Sequence, residues 1–277
     1  MPRLVYLNDQ FIHEEKAVIS YLDLSFQRGY AVFDFFRLVG NEPLHLEDHL
    51  DRFYFSAAEL RLPIGKTRDE LKQIIKELLW ENEIPNTGVR LQLSGGEYSN
   101  GAEFISPTLI ISQVEFTPPS LSMLEAGIQI ISYPHQRQLP QVKSTDYLMS
   151  IWLQPLLTQK KADDIVYHSS GLIRECPRSN FFIISATEKL ITPGDQVLKG
   201  ITRMKVIQLA SMSGMVEERE ITLEEALNAK EAFITSTTKQ IVPVVQIDGK
   251  PIGDGKPGRV TKNLMRELRR HCGIESE

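Results

Sequence analysis

Apolar side chains recur at helical spacing in several stretches of the chain, which predicts amphipathic helices. One helix is predicted over Leu46–Leu60, and a second starts at Thr67, where Glu70 completes a capping box. Two further helices are predicted over Asp146–Leu157 and Arg259–His271. The positions expected to be buried in the first two helices are Leu50, Phe53, Ala57, Leu60, Leu71, Ile74, Ile75, Leu78 and Leu79.

Shorter apolar runs bounded by turn residues predict β-strands. The turns Ser169-Ser170-Gly171 and Asp248-Gly249 each separate two such runs, so two β-hairpins are expected. Strands and helices mix without a regular βαβ order, which favours an α+β fold over a doubly wound sheet. The predicted strands cover residues 3–7, 89–93, 108–116, 128–133, 164–168, 172–173, 180–184, 232–234, 244–247 and 250–252.

The segment Thr117-Pro118-Pro119-Ser120 is the best linker candidate in the chain. A chain of 277 residues is long enough for two domains. We therefore expect a small N-terminal α+β domain over 1–117, a linker at 118–122 and a larger C-terminal domain over 123–277.

Composition narrows the function classes. The chain is 42% apolar and 24% charged, which is typical of a soluble globular protein. Its net charge of −5 argues against nucleic acid as the main partner. Two cysteines imply no disulfide framework, and neither a signal-like start nor a membrane-length apolar run is present. A cytoplasmic protein that binds neither nucleic acid nor membranes is expected.

Two hydroxyl-rich element ends suggest an anion site. Leu198-Lys199-Gly200-Ile201-Thr202-Arg203 opens a predicted helix, and Thr235-Ser236-Thr237-Thr238 ends an apolar run. The first helical N–H groups beside a glycine and a threonine hydroxyl suit a phosphate. The alternative is two ordinary capped ends, since Ser and Thr are common there.

Three charged residues are candidates for chemistry. Lys143 lies at a strand–helix junction, where a desolvated lysine becomes a nucleophile; the alternative is a solvated lysine. Glu175 could keep a cofactor's ring nitrogen protonated, or form a surface ion pair with Arg174 or Arg178. Arg52 offers a planar fork for phosphate, or pairs with acidic neighbours on its own helix.

Two motifs are set aside. The glycines of Gly253–Gly258 have the spacing G-x-G-x-x-G, but the stretch follows a hairpin and the chain ends too soon for a dinucleotide-binding unit. His45 and His49 are four residues apart, but no third His or Cys lies near them in sequence, so no metal site is expected.

In their order and spacing, these segments resemble the class IV aminotransferases. This pyridoxal-5′-phosphate (PLP) family includes branched-chain and D-amino acid aminotransferases and aminodeoxychorismate lyase. The resemblance covers nearly the whole chain. It implies a small and a large α+β domain with the cofactor between them, and usually a homodimer. The segments on which the resemblance rests are Arg28-Gly29-Tyr30, His49-Leu50-Asp51-Arg52, Val142-Lys143-Ser144, Glu175 with Ser179-Asn180, Leu198–Arg203 and Thr235–Thr238.

The resemblance also implies residue roles. Lys143 would bind the cofactor covalently and move protons at the substrate α-carbon, and Glu175 would bond the pyridine nitrogen. Tyr147 resembles the tyrosine that bonds the ring oxygen, with an offset from the lysine one residue shorter than in some members. The phosphate would be held by Arg52, Ile201, Thr202, Ser236 and Thr237.

Substrate choice is less constrained by the sequence. The arginine and histidine with which D-amino acid aminotransferases bind the substrate carboxylate are absent from Leu93–Ala102. Arg37 and Arg90 resemble arginines of branched-chain enzymes, or are structural ion pairs. The expected reaction is transamination of an apolar α-amino acid with 2-oxoglutarate. The alternatives are an aminodeoxychorismate lyase and a non-catalytic family member.

The sequence also contains three closely spaced phenylalanines, Phe33, Phe35 and Phe36. They could line a pocket for an apolar substrate side chain, or they could belong to the core.

Overall fold

The computed structural model describes residues 3–98, 104–211, 214 and 216–274. The chain divides into two compact units. The first unit comprises Met1–Phe116 and Val142–Asp146, and the second comprises Thr117–Gln141 and Tyr147–Glu277.

The first unit contains three α-helices, one 3-10 helix (Glu14–Lys16) and eight strands within its described residues. Its helices are α1 (Leu24–Arg28), α2 (Leu46–Glu59) and α3 (Arg68–Asn82). Its strands are β1 (Leu4–Leu7), β2 (Gln10–His13), β3 (Ala31–Val39), β4 (Glu42–Pro43), β5 (Gly88–Ser94), β6 (Glu97–Tyr98), β7 (Phe104–Ile105) and β8 (Leu109–Val114).

Six of these strands form an antiparallel sheet in the order β2-β1-β8-β5-β3-β4. Helix α2 begins and ends close to its predicted positions, α3 begins where predicted, and the capping box of Thr67 and Glu70 is present. Their apolar faces contribute to one core with the sheet, which includes Phe36, Phe53 and Leu78. The predicted burial holds except at Ile74, which is only partly buried.

The segment that carries Lys143 belongs to the first unit, whereas the sequence-based expectation assigned it to the C-terminal domain. Backbone hydrogen bonds explain the difference. The N–H of Phe33 donates to the Lys143 carbonyl at 2.9 Å, and the N–H of Thr145 donates to the Ala31 carbonyl at 3.1 Å. Val32 and Ser144 form an antiparallel bridge between these bonds, so the segment pairs with β3 as a short extra strand.

The second unit contains six helices and ten strands within its described residues. Its helices are α4 (Leu121–Ala126), α5 (Leu148–Trp152), α6 (Gln154–Lys160), α7 (Ile201–Ser211), α8 (Leu223–Leu227) and α9 (Arg259–His271). Its strands are β9 (Ile128–Pro134), β10 (Asp164–Ser169), β11 (Leu172–Ile173), β12 (Glu175–Cys176), β13 (Ser179–Ile184), β14 (Leu190–Thr192), β15 (Val216–Glu218), β16 (Glu231–Ser236), β17 (Gln240–Ile247) and β18 (Lys250–Pro251).

These strands form one mixed sheet with the main order β11-β10-β9-β17-β16-β13-β14-β15; β12 pairs with β13 and β18 with β17. Both predicted hairpins are present, as β10–β11 and β17–β18. The core of the unit is built largely from alternate residues of the central strands, including Phe181, Ile183, Ile234 and Val242.

The single helix predicted over Asp146–Leu157 is wrong, because the structure has two short helices that meet at Leu153. Pro155 lies in the first turn of α6. A proline has no N–H to donate to the carbonyl four residues earlier, so it interrupts a helix but fits its first turn. In the part of the chain that the structure describes, every helix is too short or too polar to span a membrane.

Candidate functional site

A buried carboxylate links two residues of α2 in the first unit. Asp34 extends from β3 and is fully buried. The Arg52 guanidinium donates to it through Nε at 2.8 Å and through Nη2 at 2.9 Å. His49 Nδ1 lies 2.7 Å from Oδ1 of the same carboxylate. Arg52 is thus neither exposed nor paired with the acidic residues of its own helix.

The charges in this cluster set its protonation. Burial acts to raise the pKa of Asp34, but the charge of Arg52 and the hydrogen bonds from Arg52 and His49 hold it well below its ordinary value. Burial lowers the pKa of His49, although the Asp34 carboxylate opposes this shift. An ionised carboxylate only accepts hydrogen bonds, so the neutral His49 ring carries its proton on Nδ1. The charges of Arg52 and Lys143 also lower the His49 pKa, which places the Lys143 ammonium in the electrostatic neighbourhood of the cluster.

Lys143 and Arg90 share one aromatic neighbour. The Lys143 Nζ lies 4.6 Å from the centre of the Phe33 ring, and the Arg90 Cζ lies 4.3 Å from it. The Lys143 backbone N–H donates to the Ser56 hydroxyl of α2 at 3.1 Å. Arg90 Nε donates to the Gln92 side chain at 3.1 Å. The structure thus brings a lysine ammonium and a guanidinium onto one buried ring.

Arg37 occupies a different place on β3. Its guanidinium lies over the Phe116 ring at 5.2 Å. Four residues separate it from Phe33, which corresponds to about 13 Å along a strand. Phe36 is fully buried in the core, and Phe35 packs edge-on against Phe116. Of the three phenylalanines considered for a pocket, Phe33 is therefore the one in contact with Lys143.

Glu175 forms the centre of a second cluster, in the second unit. It lies on β12, is only 6% exposed, and accepts from Arg137 Nε through Oε1 at 2.9 Å. Its other oxygen accepts from the Leu198 backbone N–H at 2.9 Å. Glu175 thus pairs with Arg137, an arginine that the sequence did not indicate.

Apart from Arg52, the predicted phosphate residues lie at two element ends of the second unit. Ile201 and Thr202 form the first turn of α7. Ser236 ends β16, where its hydroxyl accepts from the Lys239 N–H at 3.2 Å, and Thr237 follows in the turn. Tyr147 is half-buried and immediately precedes α5. The Thr235 hydroxyl, on a residue 1% exposed, has no hydrogen-bond partner among the described residues.

Three residues that contact the predicted site residues or their neighbours were not found from the sequence: Asp34, Arg137, and Asn180, whose side-chain N–H donates to the Leu198 carbonyl at 2.7 Å. Asp34 had a usable signal, because a charged residue inside the apolar run Ala31–Phe36 requires a buried partner. Asn180 was noted only as part of a motif, and Arg137 had no signal of its own. His49, set aside as half of a metal pair, is bonded instead to Asp34.

Comparison with known proteins identifies the family to which the chain belongs. The family described as amino-transferase class IV matches residues 31–247. A D-alanine aminotransferase of Bacillus licheniformis is 30% identical over 270 residues, covering 95% of both chains. A putative branched-chain-amino-acid aminotransferase of Methanocaldococcus jannaschii is 32% identical over 285 residues, covering 98% of both.

The same fold occurs in solved structures. A T.th. branched-chain amino acid aminotransferase, determined with pyridoxamine 5′-phosphate, superposes with a TM-score of 0.89 at 24% identity, covering 99% of this chain and 96% of that one. The family match spans most of the chain, so this chain belongs to the class IV aminotransferases. It is a PLP-dependent transaminase with an α+β fold of type IV.

Each unit, taken by itself, contains side chains of the kind that bind this cofactor. In the first unit, Lys143 supplies an amine, and Arg52 Nη1 makes no hydrogen bond among the described residues, which leaves it for an anionic oxygen. In the second unit, Glu175 supplies a buried carboxylate, and the Thr235 hydroxyl lacks a partner among the described residues. Buried polar atoms are rarely left unpaired, so an orphaned hydroxyl is typical of a ligand-binding surface.

Proposed function

We propose that this transaminase moves an amino group between an α-amino acid with an apolar side chain and a 2-oxo acid such as 2-oxoglutarate. The observation that carries the proposal is the placement of Lys143 and Arg90 over the Phe33 ring. An α-amino acid offers an amine, a carboxylate and a side chain. Lys143 matches the amine, the Arg90 guanidinium matches the carboxylate, and the Phe33 ring matches an apolar side chain.

We propose roles for the residues that act at the cofactor ring and at the substrate α-carbon. Bound PLP supplies a protonated ring that accepts the electron pair released at the substrate α-carbon. Lys143 Nζ, when neutral, removes the α-proton and later returns one. Glu175 accepts a hydrogen bond from the ring N–H and, as an anion, keeps that nitrogen protonated. Arg90 holds the substrate carboxylate through paired N–H donors.

The remaining residues are proposed to hold the cofactor. Arg52 supplies a guanidinium for the phosphate, since its Nη1 is not engaged by Asp34. Ile201 and Thr202 supply first-turn N–H groups, which have no acceptor within their own helix. Ser236 and Thr237 supply hydroxyls, and Tyr147 supplies a phenol for the ring oxygen.

Lys143→Ala tests the central assignment. It removes the amine and leaves the backbone pairing with β3 intact, so transamination should fall to background while the fold persists. The wild-type protein should show a visible absorption band that borohydride bleaches, and the variant should not. A variant that transaminates at the wild-type rate would remove Lys143 from the reaction.

A substrate panel tests the reaction and its handedness. The L- and D-forms of leucine, valine and alanine are each offered with 2-oxoglutarate, and glutamate formation is followed. A D-configured donor is the second candidate, favoured by the name of the Bacillus licheniformis relative. Pyruvate released from aminodeoxychorismate would establish the lyase instead. A protein that remains colourless with PLP and turns over neither substrate class would be a non-catalytic member.

Arg90→Ala and Arg37→Ala form a matched pair, because both arginines lie against aromatic rings of the first unit. Loss of a carboxylate-binding guanidinium should raise KM for the amino acid by about tenfold or more. We expect this in the Arg90 variant, with a smaller change in the Arg37 variant. Equal increases in KM would place both arginines at the substrate, and an effect of Arg37 alone would refute the role of Arg90.

We also propose that the enzyme is a homodimer. Leu148, Ile151 and Trp152 of α5 follow helical spacing and are 72%, 70% and 64% exposed. Such an apolar face is typical of a surface that a partner covers. Sedimentation should give twice the mass of the chain, and Trp152→Glu should shift the enzyme toward monomers. A monomeric wild type at micromolar concentration would refute the proposal.

A further inference from the structure

Three polar side chains face one another across the sheet of the second unit. Glu175, Asn180 and Thr235 occupy directly opposite positions on the adjacent strands β12, β13 and β16. Directly opposite residues project from the same face of a sheet. All three side chains are more than nine-tenths buried. A buried polar row of this kind requires partners, and those partners indicate what the row does.

Two members of the row hold the backbone of Leu198 at both of its ends. The Leu198 N–H donates to Glu175 Oε2 at 2.9 Å. The Leu198 carbonyl accepts from Asn180 Nδ2 at 2.7 Å and from the Gly200 N–H at 2.9 Å. The backbone that precedes α7 is therefore bonded to the sheet through side chains and not through a strand pairing.

Gly200 also packs directly on Asn180. A Cβ built at Gly200 would overlap Asn180 Oδ1, so the close approach requires a glycine. The next residue, Ile201, begins α7, and the Met204 N–H donates to the Gly200 carbonyl at 2.9 Å. Asn180 thus touches both residues that determine where the first turn of α7 begins.

We propose that Asn180 is a positioning residue for the phosphate of the cofactor. By holding Leu198 and Gly200, it fixes the direction of the Ile201 and Thr202 N–H groups. First-turn N–H groups have no acceptor in their own helix, so the preceding backbone determines where they point. The inference rests on the proposed function, because it takes the phosphate to bind at the start of α7.

The unpartnered hydroxyl of Thr235 supports a ligand beside this row. Thr235 lies opposite Asn180, is 1% exposed, and its Oγ1 makes no hydrogen bond among the described residues. An oxygen of a bound anion would satisfy it. The row therefore contains Glu175, which is proposed to bond the ring nitrogen of the cofactor, beside Asn180 and Thr235, which are proposed to lie near its phosphate.

Asn180→Ala tests the inference through binding of two probes, PLP and pyridoxal, to the cofactor-free enzyme. Pyridoxal has the ring and the aldehyde but no phosphate. Misdirected N–H groups should weaken PLP binding by about tenfold or more and change pyridoxal binding by less than about twofold. Gly200→Ala displaces Asn180 from the other side and should produce the same selective loss.

Asn82→Ala is the matched control. Asn82 also holds the backbone of one residue at both ends, accepting from the Leu4 N–H at 2.8 Å and donating to the Leu4 carbonyl at 3.0 Å, within the first unit. Its loss should lower the thermal unfolding temperature and leave the ratio of PLP to pyridoxal affinity at the wild-type value.

The outcomes separate the possibilities. Equal weakening of both probes, or unchanged PLP binding in a less stable protein, would show that Asn180 is only structural. If Asn180→Ala does not fold, the two affinities of Gly200→Ala decide by the same criterion. A wild-type enzyme that binds no PLP would overturn the proposed function itself, whatever the variants do.

Discussion

Asp34→Asn removes the negative charge on which Arg52 and His49 converge, while it keeps the shape of the side chain. The Arg52 Nη2 and His49 Nδ1 bonds both reach Oδ1, which an asparagine retains. The Arg52 Nε bond reaches Oδ2, which becomes an N–H₂ group that cannot accept. The substitution therefore loses one hydrogen bond and all of the charge pairing.

The size of the effect follows from burial. Asp34 is 0% and Arg52 8% exposed, so the guanidinium cannot regain the lost attraction from water. Breaking a buried ion pair by removing one partner costs about 3–5 kcal/mol. Because two bonds survive, we expect a loss near the lower limit, about 3 kcal/mol in the free energy of unfolding. The free energy of unfolding of a typical protein is only about 5–15 kcal/mol in total.

The assay is urea unfolding of the cofactor-free protein at pH 7, followed by far-UV circular dichroism, because bound cofactor would add its own stabilisation. Asp51→Asn is the control on the same helix, since the Asp51–Arg68 pair is well exposed. Exposed pairs contribute less than about 1 kcal/mol. Equal losses in the two variants would refute the argument that burial makes the Asp34 cluster strong.

Two further predictions test the first unit. Because the pKa of His49 is lowered in the folded protein, its ring stays neutral there as the pH falls. The same ring in the unfolded chain gains a proton below about pH 6.5. The free energy of unfolding should therefore fall by up to about 1.4 kcal/mol for each pH unit below that value. His49→Asn should reduce that slope between pH 7.5 and 5.5 in urea unfolding; an unchanged slope would assign it to other groups. Gly88→Ala should cost about 1–3 kcal/mol, because its Cβ would overlap the Phe35 ring. Adding Phe35→Leu should restore much of the loss, whereas additive losses would show that the ring is not the obstacle.

Elements held by local interactions were predictable from the sequence. Apolar faces predicted α2 and α3, the latter together with its capping box, and Asp248-Gly249 predicted the β17–β18 hairpin. Each of these signals acts between residues close in the chain, so no knowledge of distant segments was needed. The difference at Asp146–Leu157 also has a local cause, because Pro155, which has no N–H to donate, lies in the first turn of α6.

The sequence predicts the proposed site only as a set of residues, without their partners. The order and spacing of the segments around Arg52, Lys143 and Glu175 predicted the family and its cofactor, and the family match confirms this prediction. The roles of the three residues remain proposals. Their partners were not predictable. Arg52 bonds Asp34 and Glu175 bonds Arg137, across 18 and 38 residues of sequence.

The sequence by itself therefore determined helices α2, α3 and α9, the two hairpins and membership of a PLP-dependent family, since these depend on local propensity and on functional groups. Tertiary structure decided that the Lys143 segment pairs with β3 and that Asn180 holds the start of α7. Both depend on hydrogen bonds that form only once distant strands have been placed side by side. The pattern of polar and apolar residues along the chain does not indicate which strands will be adjacent in a sheet.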